Sequence, residues 1–279
     1  MDSELKYQAK INLAEKNSSH TLAHDMVQAY AQGRVLRVLE VGCASGYWGT
    51  LLKTAGHSVV GVEPDAQAAM AAQQVLDQVF VGLVDDYFAT HQGEKFDVIS
   101  FVDVLEHTMD PAVILTECRA RLKPGGVVVA SIPNVAHLAV RGMLLAGRWS
   151  YAQTGIMDNS HIRFFTRDTI VELFSTTAFR ILDFKPTTMS AADAVRNYGM
   201  HSPFFLRAMA CVLAPDREWR NFQYVVCAAV AEDNAAELVE NRRFSAHSGF
   251  VKAASFKVSV LLRTIILELK LRLSRGGRS

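Results

Sequence analysis

Gly42, Ala44, Ser45 and Gly46 make a turn with almost no side-chain bulk, so the backbone there can approach a ligand closely. Glu40 precedes it, and Glu63 lies 21 positions after Gly42. A carboxylate at that spacing, on the tip of the next strand, can accept both ribose hydroxyls of a bound nucleoside. The competing role for Glu63 is a solvated surface acid. A second group is Asp103-Val104-Leu105-Glu106-His107, and a third runs from His137 to Arg163 and includes Arg141, Arg148, Trp149, Tyr151, Asp158 and His161. These side chains could transfer protons, ligate a divalent metal or hold an acceptor.

The elements that position them are legible from apolar patterning. Val35, Leu36, Val38, Leu39 and Val41 read as a buried parallel strand. The helix from Tyr47 to Ala55 would present its first N–H groups to whatever occupies the turn. A dinucleotide fingerprint needs glycine at the first, third and sixth positions of such a turn. Here they hold Gly42, Ala44 and Tyr47, which argues against NAD or FAD. Further strands are expected at His57–Glu63, Val79–Leu83, Phe96–Val102, up to Ile132, Phe179–Pro186 and Asn221–Ala229, the last antiparallel. Helices are expected from Lys6 to Gly33 with a break at Asn17–Ser19, from Pro64 to Leu76, after the cap Asp110-Pro111, and from Arg167 to Ser175 behind Thr166. Ser18 or Ser19 is the expected cap of the helix from Thr21 to Tyr30.

The turn with Glu40 and Glu63, the run DVLEH with Asp110-Pro111, and Leu122-Lys123-Pro124-Gly125-Gly126 resemble class I S-adenosylmethionine (SAM)-dependent methyltransferases, the ubiquinone O-methyltransferase type among them. GRWSY followed by GIMDNSHIRFFT resembles bacterial sugar and natural-product methyltransferases. The resemblance covers residues 17 to about 230 and implies an α/β, Rossmann-like sheet of seven mostly parallel strands with an antiparallel last strand, helices on both faces, lid insertions and a C-terminal helix. It implies SAM as cofactor, held by Glu40, Gly42, Cys43, Ala44, Gly46, Tyr47, Glu63, Pro64, Asp85, Asp103 and Val104, with His20 at the methionine end. Ala44 stands where the family usually has glycine, and Leu83 where it often has the acid that binds adenine; Asp85 or Asp86 could substitute, or both could be a solvated turn.

The implied product is a small molecule methylated on oxygen, a sugar or secondary-metabolite hydroxyl in a polysaccharide or natural-product pathway; N- or C-methylation, and a SAM-fold module without turnover, are the alternatives. Because SAM carries its own leaving group, the enzyme mainly positions the nucleophile. A hydroxyl acceptor needs a base, and histidine titrates in the right range. His161 and His107 are the candidates, against purely structural hydrogen bonding. His137, Arg141, Trp149, Tyr151 and Arg163 are the expected acceptor contacts. Asp103, Glu106 and His107 could form a metal cluster, but neighbouring residues at a helix start point apart, so no metal is expected.

At 279 residues, half apolar, the chain can bury a full core. Expected divisions are an N-terminal helical cap at 1–33, a catalytic domain at 34–232 with a lid at 134–165 and an insertion at 187–220, and a tail at 233–279. His201, Pro203, Phe204, Phe205 and Trp219 in the insertion read as packing. Cys43, Cys118, Cys211 and Cys227 have no metal-site or disulfide spacing and read as reduced thiols. With a polar start and no long apolar run, the expected compartment is the cytoplasm. An Asp/Asn-Pro-Pro-aromatic run is absent, so no nucleic-acid partner is expected. Residues 242–279 carry nine Lys or Arg against Glu268 alone. Val258, Leu261, Leu262, Ile265, Ile266, Leu269 and Leu273 form one helical stripe there. It could serve a homodimer seam, docking on the body, or peripheral contact with an anionic membrane; Leu267 and Leu271 widen it, which favours protein packing.

Overall fold

The computed structural model describes residues 11–198 and 218–231. Among the described residues, contacts give two compact units, one of residues 11–135, 150–188 and 221–231, the other of 136–149, 189–198 and 218–220.

The first unit holds a single sheet of β1 (Arg37–Val41), β2 (Ser58–Glu63), β3 (Gln78–Val81), β4 (Phe96–Val102), β5 (Leu122–Pro133), β6 (Phe179–Thr188) and β7 (Asn221–Val230). Its spatial order is β3-β2-β1-β4-β5-β7-β6. The pairs from β3 to β5 are parallel, while β7 runs antiparallel to both β5 and β6. This is the expected fold class. The order reverses at β1, so the adjacent carboxyl ends of β1 and β4 form the crevice where open α/β sheets bind ligands.

Alternating strand residues feed two apolar layers, as a sheet covered on both faces requires. Leu39, Val41, Ile99, Phe101, Val128 and Ala130 pack with Tyr87 and Phe88 of α4 (Val84–Thr90), Ile114 and Leu115 of α5 (Pro111–Arg121), and Ile170 and Phe174 of α7 (Arg167–Thr176). Val38, Val98, Val127, Val129 and Val225 face Ala23, Met26 and Val27 of α1 (Ser19–Ala31), Leu52 of α2 (Gly49–Thr54), and Ala72 of α3 (Ala66–Ala72). Caps set the helix starts: Asp110 accepts from Ala112 and Val113 N–H, Asp65 from Ala68 N–H, and Thr166 forms a reciprocal box with Thr169.

Three expectations need correction. Residues 11–18 are turns, because Asn12 bonds its own backbone through Ala14 N–H, and the amide of Asn17 pairs with Thr188 at the edge of β6, donating to its O at 2.8 Å and accepting from its N at 2.8 Å. Ser18 occupies the N-cap of α1 without a side-chain cap hydrogen bond. Asp85 and Asp86, expected as adenine contacts or as a solvated turn, belong to the first turn of α4, a helix not among those expected from the sequence.

The second unit contains α6 (Leu138–Leu145), α8 (Ala191–Tyr198) and a 3-10 turn at Glu218–Arg220, and α6 and α8 lie against each other. Cys43, Cys118 and Cys227 are buried free thiols. Among the described residues no helix is long and apolar enough to cross a membrane. The start of the expected first helix (Lys6–Lys10), His201, Pro203, Phe204, Phe205, Cys211 and the tail stripe lie outside the described residues.

Candidate active site

The buried β1 delivers the small-residue turn to the crevice. Gly42 and Cys43 N–H both donate to Val62 O, at 2.8 and 3.2 Å, locking the turn to the end of β2. Gly42 has φ +69°, and a Cβ there would meet Val104 Cγ2 at 2.6 Å. Only glycine fits both conditions. Ala44 is also left-handed, at φ +47°. Glu63 secures it: Ala44 N–H donates to Oε2 at 2.8 Å, while Asp65 N–H donates to Oε1 at 2.9 Å. Each oxygen keeps a further lone pair, so the carboxylate retains the two acceptors a ribose diol needs.

Glu40 is buried one turn below, with Gly49 N–H donating to its carboxylate, and Oε2 has no hydrogen-bond partner. Burial, reinforced by the charge of Glu63, pushes its carboxyl up to about 8. Cys43 is buried and its thiol is pushed up by burial, while its backbone N–H and O are held by Val62 O and Gly46 N–H. His20 of α1 reaches the turn, its Nε2 at 3.3 Å from the Tyr47 hydroxyl, and Trp48 Nε1 donates to His20 O at 3.0 Å. Pro64 is exposed behind Glu63, and Asp85 is exposed at the start of α4.

At the tip of β4, Asp103 is left-handed at φ +58°. Its N–H donates to Ser131 Oγ at 2.9 Å, and its Oδ1 accepts from Ser131 Oγ and from Gln223 Nε2. Ser131 and Gln223 carry no signal in sequence, because only strand pairing brings β5 and β7 beside this tip. A 3-10 turn, Leu105–His107, buries Leu105 in the core. The following loop zips onto it: Ile162 and Arg163 N–H both donate to Glu106 O at 3.0 Å, and His107 Nδ1 is 3.1 Å from Ser160 O.

That zipper brings His161 and His107 edge to face, ring centroids 4.7 Å apart at 71°. His161 Nδ1 lies 3.0 Å from Ile156 O. A carbonyl only accepts, so each Nδ1 carries the proton and each Nε2 keeps its lone pair. His161 Nε2 stands 3.9 Å from Glu106 Oε1. Glu106 is 1 % exposed, and neither of its carboxyl oxygens has a hydrogen-bond partner. Burial first, then the charges of Asp103 and Asp158, holds its carboxyl well above the usual range. Burial, with the nearby His107, holds His161 below the usual histidine value.

The expected acceptor contacts divide between the units. Tyr151 and Arg163 are in the first; Tyr151 is exposed, and Arg163 Nε donates to Met109 O at 3.0 Å. His137, Arg141 and Trp149 are in the second. There His137 is buried and caps α6 by accepting from Ala139 N–H, Arg141 Nε donates to Ala136 O, and Trp149 is exposed.

Against known proteins, the family described as "Methyltransferase domain" matches residues 9–183. The ubiquinone biosynthesis O-methyltransferase of Cereibacter sphaeroides (strain KD131) is 31% identical over 182 residues, covering 58% of this chain and 71% of that protein. The protein of that name in Bradyrhizobium diazoefficiens is 36% identical over 123 residues, covering 41% and 48%. Among solved structures, a SAM-dependent methyltransferase from Archaeoglobus fulgidus has a TM-score of 0.51 at 16% identity, covering 76% of this chain and 94% of that one. Magnesium protoporphyrin IX methyltransferase from Synechocystis PCC 6803, with bound SAH, also scores 0.51, at 15% identity over 82% and 91%. With its β1 turn, its Glu63 and a family match over more than half its length, the chain belongs to the methyltransferase-domain family and is a class I SAM-dependent methyltransferase.

Proposed function

We propose that this enzyme transfers the SAM methyl group to a hydroxyl oxygen of a small molecule, on a sugar or secondary metabolite. The observation that carries this reading is the Glu106–His107–His161 cluster, two of whose members stand just after Val104, the residue packed against Gly42 in the β1 turn. A thiol or an amine with its lone pair available would need no such cluster, whereas a hydroxyl must shed its proton. Glu63 would take the ribose hydroxyls, and Asp103 and Val104 would flank the methionine end. Asp85, exposed at the start of α4, would reach the adenine amino group. In the transfer an acceptor oxygen pair forms the O–CH3 bond as the S–CH3 bond breaks, its electrons staying on sulfur to give SAH. The hydroxyl proton passes through the cluster to solvent.

Oxygen as the methylated atom also agrees with the names of the curated relatives, which are ubiquinone biosynthesis O-methyltransferases. Those relatives favour a second acceptor, a ring hydroxyl of a quinone precursor. The test is a screen with methyl-labelled SAM against hydroxylated sugars, phenols and amines, with the product solved by NMR. A new O–CH3 resonance is expected, with a sugar or secondary-metabolite acceptor. A phenolic product would move the substrate to the quinone class. N–CH3 or C–CH3 products would overturn the reading, as would SAH binding with no turnover on any acceptor. His161→Asn is expected to keep SAH binding and lose roughly 100-fold or more in turnover.

A further inference from the structure

We propose that Glu106, His107 and His161 form a binding site for one divalent transition-metal ion. Each offers one ligand atom, and these atoms all lie within 4.8 Å of one another. Both imidazoles are set up as metal ligands usually are: one ring nitrogen donates to a backbone carbonyl, Ser160 O for His107 and Ile156 O for His161, which fixes the tautomer and turns out the other nitrogen's lone pair. The independent observation is Glu106. Its side chain is 1 % exposed, both carboxyl oxygens lack a hydrogen-bond partner, and His161 Nε2 stands 3.9 Å from Oε1. That is too far for a hydrogen bond. A buried polar group is ordinarily satisfied, and one cation between carboxylate and imidazoles would satisfy all three.

The donor set narrows the ion. Two imidazoles and one carboxylate, with a position left open, suit Zn(II), Co(II) or Fe(II) better than Mg(II) or Ca(II), which take mainly oxygen. Ligands bound at about 2.0–2.2 Å sit closer together than 4.8 Å, so binding must draw the three side chains inward. His107, the least buried of the three, is the one with room to turn. Asp103 Oδ1 accepts from Ser131 and Gln223, and the third ligand of the converging set is His161. It comes from the loop at 150–165, so a bound ion would clip that loop to the tip of β4. The open position would accept an oxygen ligand, and an acceptor hydroxyl bound there would ionise more readily. That last role would replace proton pickup by the imidazoles, whose Nε2 lone pairs the ion would hold, and it rests on the proposed O-methylation; binding of the ion does not.

The test uses the full chain, freed of metal by a chelator and titrated with Co(II), read by ligand-field absorption and by thermal unfolding. The expected result is one saturable site with visible absorption and a raised unfolding midpoint. Glu106→Gln and His161→Gln should each weaken Co(II) by more than the roughly 10- to 100-fold that loss of a supporting partner costs. His91→Gln, a control away from the cluster, should bind as the parent does. Retained SAH binding shows that each variant is folded, and His107→Gln gives a third measurement at the most accessible ligand. No saturable absorption in the parent chain, or equal affinity in the Glu106 and His161 variants, would overturn the site. Cobalt binding needs no acceptor, so failure of the O-methylation screen would leave this result unchanged.

Discussion

Replacing Glu63 by glutamine removes one charge and one acceptor from the carboxylate that holds the β1 turn. In the parent, Oε2 accepts from Ala44 N–H at 2.8 Å and Oε1 from Asp65 N–H at 2.9 Å. A glutamine amide cannot reproduce this: whichever way it is flipped, its NH2 faces one of those two N–H donors. One buried donor is then unaccepted, which costs about 1–3 kcal/mol of folding stability. If Glu63 takes the ribose as proposed, one of two charge-assisted hydrogen bonds is lost on the ligand side, about 1.5–3 kcal/mol, or roughly 10- to 100-fold in affinity. Calorimetry with SAH measures the second effect and urea unfolding the first. Glu63→Asp keeps the charge but withdraws it by one methylene, so its affinity should fall between parent and Gln. If Glu63→Gln binds SAH as tightly as the parent, Glu63 is not the ribose acceptor. If stability is also unchanged, the backbone bonds to its carboxylate do not operate in solution.

Further outcomes follow from the same turn. Gly42→Ala would hold a Cβ at φ +69° and 2.6 Å from Val104 Cγ2, so a loss of at least about 1–2 kcal/mol is expected, with weakened SAH binding. Adding Val104→Ala should recover the contact part and not the dihedral part, and full recovery in the double variant would show that the backbone conformation costs nothing. Glu40, pushed up to about 8 from an ordinary 4.5, keeps its proton in the folded state while the unfolded chain releases it. The folded state therefore binds more protons across that window, and stability falls as pH rises from about 4.5 to 8. Glu40→Gln should flatten that slope in urea unfolding measured at several pH values, and an unchanged slope would refute the assignment.

The reaction class was readable because its parts are local. A strand, a bulk-free turn and an acid at a set distance lie within Val38 to Glu63, and hydrophobic patterning places each on its element. The same holds for Asp110-Pro111 and Thr166, whose caps form as their residue types dictate. The helix α4 was not legible because Asp85 and Asp86 look like a turn until Tyr87 and Phe88 are seen to enter the core. Asn17 was read as a helix interruption, and its pairing with Thr188, so distant in sequence, shows itself only once β6 is in place.

By itself, then, the sequence determined the sheet and the reaction class and placed Glu63 at the end of β2, because short-range spacing and alternation fix them. Tertiary structure alone decided the chemistry at the tip of β4. Asp103 and Glu106 are near neighbours in sequence, yet the left-handed φ of Asp103 turns it to Ser131 and Gln223. Glu106 instead meets His161, more than fifty residues away, because Ile162 and Arg163 N–H bind the Glu106 carbonyl. Backbone hydrogen bonds between a loop and a strand tip leave no residue-type signature, so nothing in the order of amino acids announced that those three side chains converge.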